Sequence, residues 1–216
     1  MRILIEVPTY DGRISPVTFQ SLWRLDRRGH DVDLKPCSGY GVAMARNRIA
    51  ADALAAGYDR AMMVDNDVEL PPDALANLLS HDVPICTGYY LNRGVHDGSG
   101  ITTAFKEGDG YHAFTEAELR DMREHGEHLV RIKACGMGCC LFKPIVFQML
   151  PFPWYEWWDM GKKTVKADDV YAIDASINSL GEDINFCELA RAGGFHVHLD
   201  TRVACGHEFR EVRWPE

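Results

Sequence analysis

Short apolar runs of strand length alternate with stretches of helical spacing through the first third of the chain, and this alternation restricts the fold more than any other feature. Residues 2–7 form the first run, after which Pro8, Thr9 and Gly12 signal a loop. Ser15 and Pro16 make a helix start, Phe19, Leu22, Trp23 and Leu25 recur at helical spacing, and Gly29 supplies a stop. Val32 and Leu34 alternate with polar neighbours in 31–35, an alanine-rich helix is expected over 42–56 with Gly57 at its end, and 61–64 is a third apolar run. Strand, helix, strand, helix, strand predicts an α/β fold: a single-domain, Rossmann-like, mostly parallel sheet flanked by helices, with ligands outside the strands' carboxyl ends.

The third run ends in Asp65-Asn66-Asp67. Side chains two apart on a strand share a face, so the two carboxylates would repel unless a cation or a neighbouring Arg or Lys compensates. Carboxylate oxygens suit hard cations such as magnesium or manganese, which keep positions open for phosphate oxygens. The plainer alternative is a pair of capping aspartates before the helix that Pro71, Pro72 and Asp73 announce. Arg46 and Asn47 lie near the amino end of the alanine-rich helix, where backbone N–H groups and a guanidinium favour a diphosphate or a base carbonyl. Arg46 paired with a carboxylate on the helix surface is the competing reading.

Further along, a short helix is expected over 72–80, a fourth strand over 83–88, and a mobile loop or hairpin over 94–110 with a strand only at 101–106. Thr115 and Glu118 form a capping box for a solvated helix over 116–124, which leaves His112, His125 and His128 as surface residues without a catalytic part. Two strands are expected at 129–133 and 134–142, and in the second Gly136-Met137-Gly138 lets another backbone or a ligand approach closely. Between 151 and 158 five aromatic rings crowd a proline-broken run. Trp154, Trp157 and Trp158 are candidates for a platform stacked on one face of a sugar, against the alternative that some of them fill core. Residues 162–169 resemble a flexible flap. Gly181-Glu182-Asp183 opens a helix through Ala192, and a carboxylate held there is placed as a general base or, more simply, as a cap. A last strand is expected at 195–199, and beyond it His207, outside regular structure, is a candidate to complete a metal shell.

Charge and cysteine usage narrow the partners. A net charge of -9 argues against nucleic-acid binding by a basic face. The start of the chain does not resemble a signal peptide, and no apolar run approaches the roughly 20 residues of a transmembrane segment, so a cytoplasmic location is expected. Seven cysteines without a small-scaffold pattern suit reduced thiols, and Cys135, Cys139 and Cys140 lack the paired spacing of a zinc site. A chain of 216 residues suits one domain, and a homo-oligomer is compatible with it.

The ordered set Ala45-Arg46-Asn47, Val64-Asp65-Asn66-Asp67, Gly136-Met137-Gly138, Gly181-Glu182-Asp183-Ile184-Asn185 and Cys205-Gly206-His207 resembles the A-type fold glycosyltransferases, in particular the family 2-like nucleotide-sugar enzymes. The resemblance covers most of the chain. It implies transfer of a sugar from a nucleotide diphosphate sugar donor to a carbohydrate or other hydroxyl acceptor, with a divalent cation, manganese or magnesium. Residues 1–90 would form the nucleotide-binding half and 91–216 the acceptor-binding and catalytic half. Asp67 would bind the metal, Asp65 would share it or contact the ribose, and His207 would be a second protein ligand. Pro8, Thr9, Arg46 and Asn66 would lie against the nucleotide. Asp183, with Glu182 beside it, would deprotonate the acceptor, and Trp154, Trp157 and Trp158 would receive it. Two alternatives stand beside this one: a nucleotidyltransferase acting on a sugar phosphate, though no glycine-rich phosphate loop with a following lysine is found near the first strand, and a non-catalytic sugar- or nucleotide-binding protein.

Overall fold

The computed structural model describes residues 1–92, 100–157 and 181–208. The expected opening is present as β1 (Arg2–Thr9), α1 (Pro16–Arg24), β2 (Asp31–Ser38), α2 (Val42–Ala55) and β3 (Arg60–Val64). Ser15 caps α1 by accepting the Thr18 N–H, with Pro16 at the first helical position. β2 runs three residues beyond the expected 31–35 and through Pro36, which a sheet edge tolerates because an edge strand has N–H groups that need no partner. The chain continues through β4 (Val68–Glu69), α3 (Ala74–Leu79), β5 (Ile85–Tyr89), β6 (Ile101–Phe105), β7 (Ala113–Thr115), α4 (Glu116–Glu124) and β8 (Leu129–Ile132). It ends through β9 (Ala134–Cys135), β10 (Cys139–Phe142), α5 (Ile145–Met149), α6 (Glu182–Ala192), β11 (Val197–Ala204) and β12 (Gly206–His207). The capping box at Thr115 and Glu118 forms as the spacing predicts.

The main sheet has seven strands in the order β2-β1-β3-β10-β5-β11-β8. β1 pairs in parallel with both β2 and β3, and β5 with β11, while β10 and β8 run against their neighbours. The sheet is mostly parallel in strand direction, with β10 reversed at its centre. α1 and α3 pack on one face around Ile3, Ile5, Val7, Met62 and Val64. On the other face α2, α5 and α6 surround Met63, Phe142, Phe147 and Phe186. Among the described residues no helix is long and apolar enough to cross a membrane.

The stretch 134–142 is not one strand. Gly136-Met137-Gly138 divides it, so that β9 joins β6 and β7 in a separate three-stranded sheet and β10 enters the main one. What approaches the glycines is the Tyr90 side chain. A Cβ on Gly136 or on Gly138 would lie 2.6 Å from the Tyr90 hydroxyl oxygen, which accepts the Gly138 N–H at 3.0 Å.

β1 alternates its faces, so Glu6 shares the α2 face with Leu4 and is almost wholly buried. Each fully buried aliphatic of this strand contributes about 1.5–3 kcal/mol, enough for the fold to tolerate the carboxylate. Glu6 Oε2 has no hydrogen-bond partner among the described residues. Burial, with Asp52 adding to it, pushes the carboxyl up to about 7 against the pull of Lys35 and Arg48.

Candidate active site

β3 stops at Val64, and the acidic pair lies in the turn that follows, closed by a Val68 N–H to Asp65 carbonyl bond of 3.1 Å. The two carboxylates therefore do not share a strand face as expected. They diverge: Asp65 turns to Arg46 and Asp67 to His207.

Arg46 is 3% exposed and holds two acids at once. Its Nη2 donates to Asp65 at 2.9 and 3.2 Å, and its Nη1 donates to Glu182 at 2.7 Å, joining α2, the end of β3 and the start of α6. Burial works against its charge, and Asp65 and Glu182 overcome that, so the guanidinium is held above its ordinary range. Burial pushes the Glu182 carboxyl up while Arg46 pulls it down. The guanidinium does not give up its proton, so it favours the ionised form of the carboxylates it holds. Of the two readings of Arg46, pairing is the one observed, but inside the protein rather than on the helix surface. Asn47 turns away from the site: its Oδ1 accepts the Trp154 and Tyr155 N–H groups and its Nδ2 donates to the Tyr155 carbonyl, fastening the aromatic run to α2.

His207 reaches the site from β12, which pairs antiparallel with β4 (His207 opposite Val68), so it lies in regular structure after all. Its Nδ1 is 2.8 Å from the Leu91 carbonyl, which only accepts, so Nδ1 carries the hydrogen. Nε2 then points toward Asp67 Oδ1 at 3.6 Å, and the Tyr90 ring meets the imidazole edge-on at 4.9 Å. With the hydrogen on Nδ1, Nε2 offers its lone pair on the side of Asp67. A carboxylate with an imidazole is a chemically suitable donor pair for manganese. Among the described residues no three His, Cys, Asp or Glu side chains gather into a metal site by themselves.

Asp183 sits in the first turn of α6, where its Oδ1 accepts the Ile184 N–H at 2.8 Å. Burial is the main cause that pushes its carboxyl up, partly offset by Arg46. Asp183, Asp65, Asp67 and His207 line one open cavity of about 340 Å³ together with Tyr90, Asn92, Thr103, Phe105, Gly136 and Ile184. A second, of about 270 Å³, is lined by Pro8, Thr9, Tyr10, Tyr40, Gly41, Val42 and Asp65 to Asp67. The acidic turn is common to both. Asn66 is anchored there, its Oδ1 accepting the Ser15 N–H at 2.7 Å.

The aromatic run separates by position. Trp154, a candidate for the platform, is instead core: it packs on Phe147 and its Nε1 donates to the Leu150 carbonyl. Tyr155 stacks on Phe186 at 4.6 Å. Trp157 is exposed, with a ring carbon 4.0 Å from where a Cβ on Gly181 would stand. Trp158 and the expected flap at 162–169 lie outside the described residues. Sequence reasoning did not single out Tyr10, Tyr40, Thr103 or Phe105. Tyr90 follows directly on β5 and was not singled out either.

No family model matches the chain, and no curated protein matches it in sequence. Solved structures do match in fold. The crystal structure of A197 from STIV superposes with a TM-score of 0.62 at 14% identity, over 97% of this chain and 87% of that one. The structure of GalNAc-T7 with UDP, GalNAc and Mn2+ gives 0.60 at 14% identity, over 96% of this chain and 44% of that one. That of S. aureus TarS 1-349 in complex with UDP-GlcNAc gives 0.52 at 14% identity, over 99% of this chain and 60% of that one. At such identity the likeness shows the fold alone, which is the glycosyltransferase A-type fold.

Proposed function

We propose that this chain is a metal-dependent glycosyltransferase that moves a sugar from a nucleotide diphosphate sugar to an acceptor hydroxyl. The observation that carries the proposal is the meeting of Asp67, His207 and Asp183 on one cavity, which shares its acidic turn with a second cavity at the ends of β1 and β2. The likeness in fold to structures solved with UDP and UDP-GlcNAc recommends uridine donors first.

In this reading the second cavity takes the nucleotide, with Pro8 and Thr9 against the base and the first turn of α2 toward the diphosphate. Asp65, fixed by Arg46, stays oriented toward the ribose. Residues 1–90 thus supply the nucleotide side and 91–216 the acceptor side. Asp67 and His207 would hold the cation, which when bound supplies a Lewis acid for charge developing on the leaving diphosphate. Asp183 takes the proton from the acceptor hydroxyl, a task that suits a carboxylate raised toward neutral pH by burial. Glu182, committed to Arg46, anchors α6 rather than serving as the base. Trp157 offers the exposed ring face for the acceptor.

Thermal stability of wild type and Asp67→Ala with nucleoside diphosphates and nucleotide sugars, each with and without manganese, tests this, because a ligand bound to the native state raises the melting temperature. A manganese-dependent shift with one nucleotide, absent in Asp67→Ala, is expected, and turnover with that donor then releases nucleoside diphosphate. Release of pyrophosphate would instead identify a nucleotidyltransferase. Binding without turnover over a broad acceptor panel would favour a non-catalytic binder, and no shift with any nucleotide would remove the donor site from the argument.

A further inference from the structure

Helix α1 turns Thr18, Ser21 and Leu22 inward and leaves Phe19 and Trp23, one turn apart, on its outer face. Trp23 is 75% exposed and Phe19 50%, and their rings stack with centroids 6.4 Å apart at 28°. With Gln20 and Arg24 they line an open concavity of about 420 Å³. A contiguous aromatic patch left in water forgoes burial that would stabilise the fold, and such patches mark contact surfaces.

The charge around the patch narrows what covers it. The chain as a whole carries -9, yet Arg24, Arg27 and Arg28 crowd the end of α1 and the turn after it, all exposed. Asp26, the one carboxylate in that turn, is already paired with Arg28 at 2.8 Å. Arg24 and Arg27 have no ion-pair partner among the described residues. A second copy of the chain is a poor occupant, because a two-fold contact sets the same patch against itself and would bring the unpaired arginines of both copies together. A bilayer surface with anionic headgroups satisfies both halves of the patch. An indole and a phenyl ring settle at headgroup depth, and the guanidiniums meet lipid phosphates.

We propose that the Phe19–Trp23 face of α1, with Arg24 and Arg27, is a peripheral docking surface for a membrane rich in anionic phospholipid. It is independent of the transferase reading, since none of these residues lines either cavity of the candidate site.

Co-sedimentation of the full chain with phosphatidylcholine vesicles, with and without phosphatidylglycerol, tests it. Binding should require phosphatidylglycerol and weaken with added salt. Arg24→Ala with Arg27→Ala should lower the partition coefficient roughly 30-fold, taking each arginine at its usual worth near an anionic surface. Phe19→Ala with Trp23→Ala should abolish the binding. Because all four side chains lie outside the core, the variants should melt like wild type, which separates lost docking from lost folding. No binding to either vesicle, or binding unchanged in both double variants, overturns the proposal. Self-association of wild type that is lost in Trp23→Ala, with no vesicle binding, overturns it in favour of a second copy.

Discussion

Replacing Glu6 by Gln should stabilise this protein at alkaline pH and do much less at acid pH. The folded carboxyl is pushed up to about 7 from its ordinary 4.5, so folding disfavours its ionised form. Below 4.5 the carboxyl is neutral in both states and costs nothing. As the pH rises through the window from 4.5 to about 7 the unfolded chain ionises while the folded one resists, and stability falls until the folded group ionises too. A full gap of that size corresponds to about 3 kcal/mol at pH 8 and about 1 kcal/mol at pH 5. Lys35, exposed on the edge strand beside Glu6, admits solvent screening, which trims the alkaline figure to roughly 2 kcal/mol. The amide cannot ionise, and any cost of fitting its NH₂ group is the same at every pH. Urea titrations of wild type and Glu6→Gln at both pH values should therefore show the variant gaining roughly 1–2 kcal/mol more at pH 8 than at pH 5, with equal slopes. Stability curves that run parallel across this range would refute the claim that Glu6 is buried against its charge.

Three other outcomes follow from the site. Arg46→Met should cost about 3–5 kcal/mol by leaving Glu182 buried and Asp65 half-buried without their cation, and Arg46→Lys less; urea denaturation checks both. Gly138→Ala should cost about 1–3 kcal/mol, because its Cβ meets the Tyr90 ring and hydroxyl; an unchanged denaturation midpoint would mean that Tyr90 does not fill that gap. If Asp183 is the base, the rate of transfer at saturating donor should rise with pH along an acidic limb displaced above the ordinary aspartate range, and Asp183→Asn should remove that limb together with most of the rate.

The opening β1 to β3 was legible because β1 and β3 are short apolar runs, β2 alternates around Val32 and Leu34, and α1 opens on Ser15 and Pro16, although α1 stops at Arg24, where Leu25 turns extended, and not at the expected Gly29. The capping box at Thr115 was legible for the same local reason. Strand direction was not, since nothing within Cys139–Phe142 distinguishes a strand inserted against its neighbours from one running with them. Arg46 showed its chemistry but not its partner, for Glu182 lies on another helix that only the folded chain brings within reach. The two glycines around Met137 announced a close approach, yet the group that approaches is a side chain 48 residues away from Gly138. Within 151–157 the split between core and surface follows from Asn47, whose three bonds to that run fix Trp154 and Tyr155 inward, and no pattern inside the run encodes it.

The pairing of β12 with β4 sets an order of events on the folding of the protein. Asp67 and the imidazole opposite it lie 140 residues apart in the chain. Contacts of such long sequence separation carry a large loop-closure cost and close late. On a ribosome residues 65–67 emerge well before His207, so the Asp67–His207 pair can form only after both segments have left it.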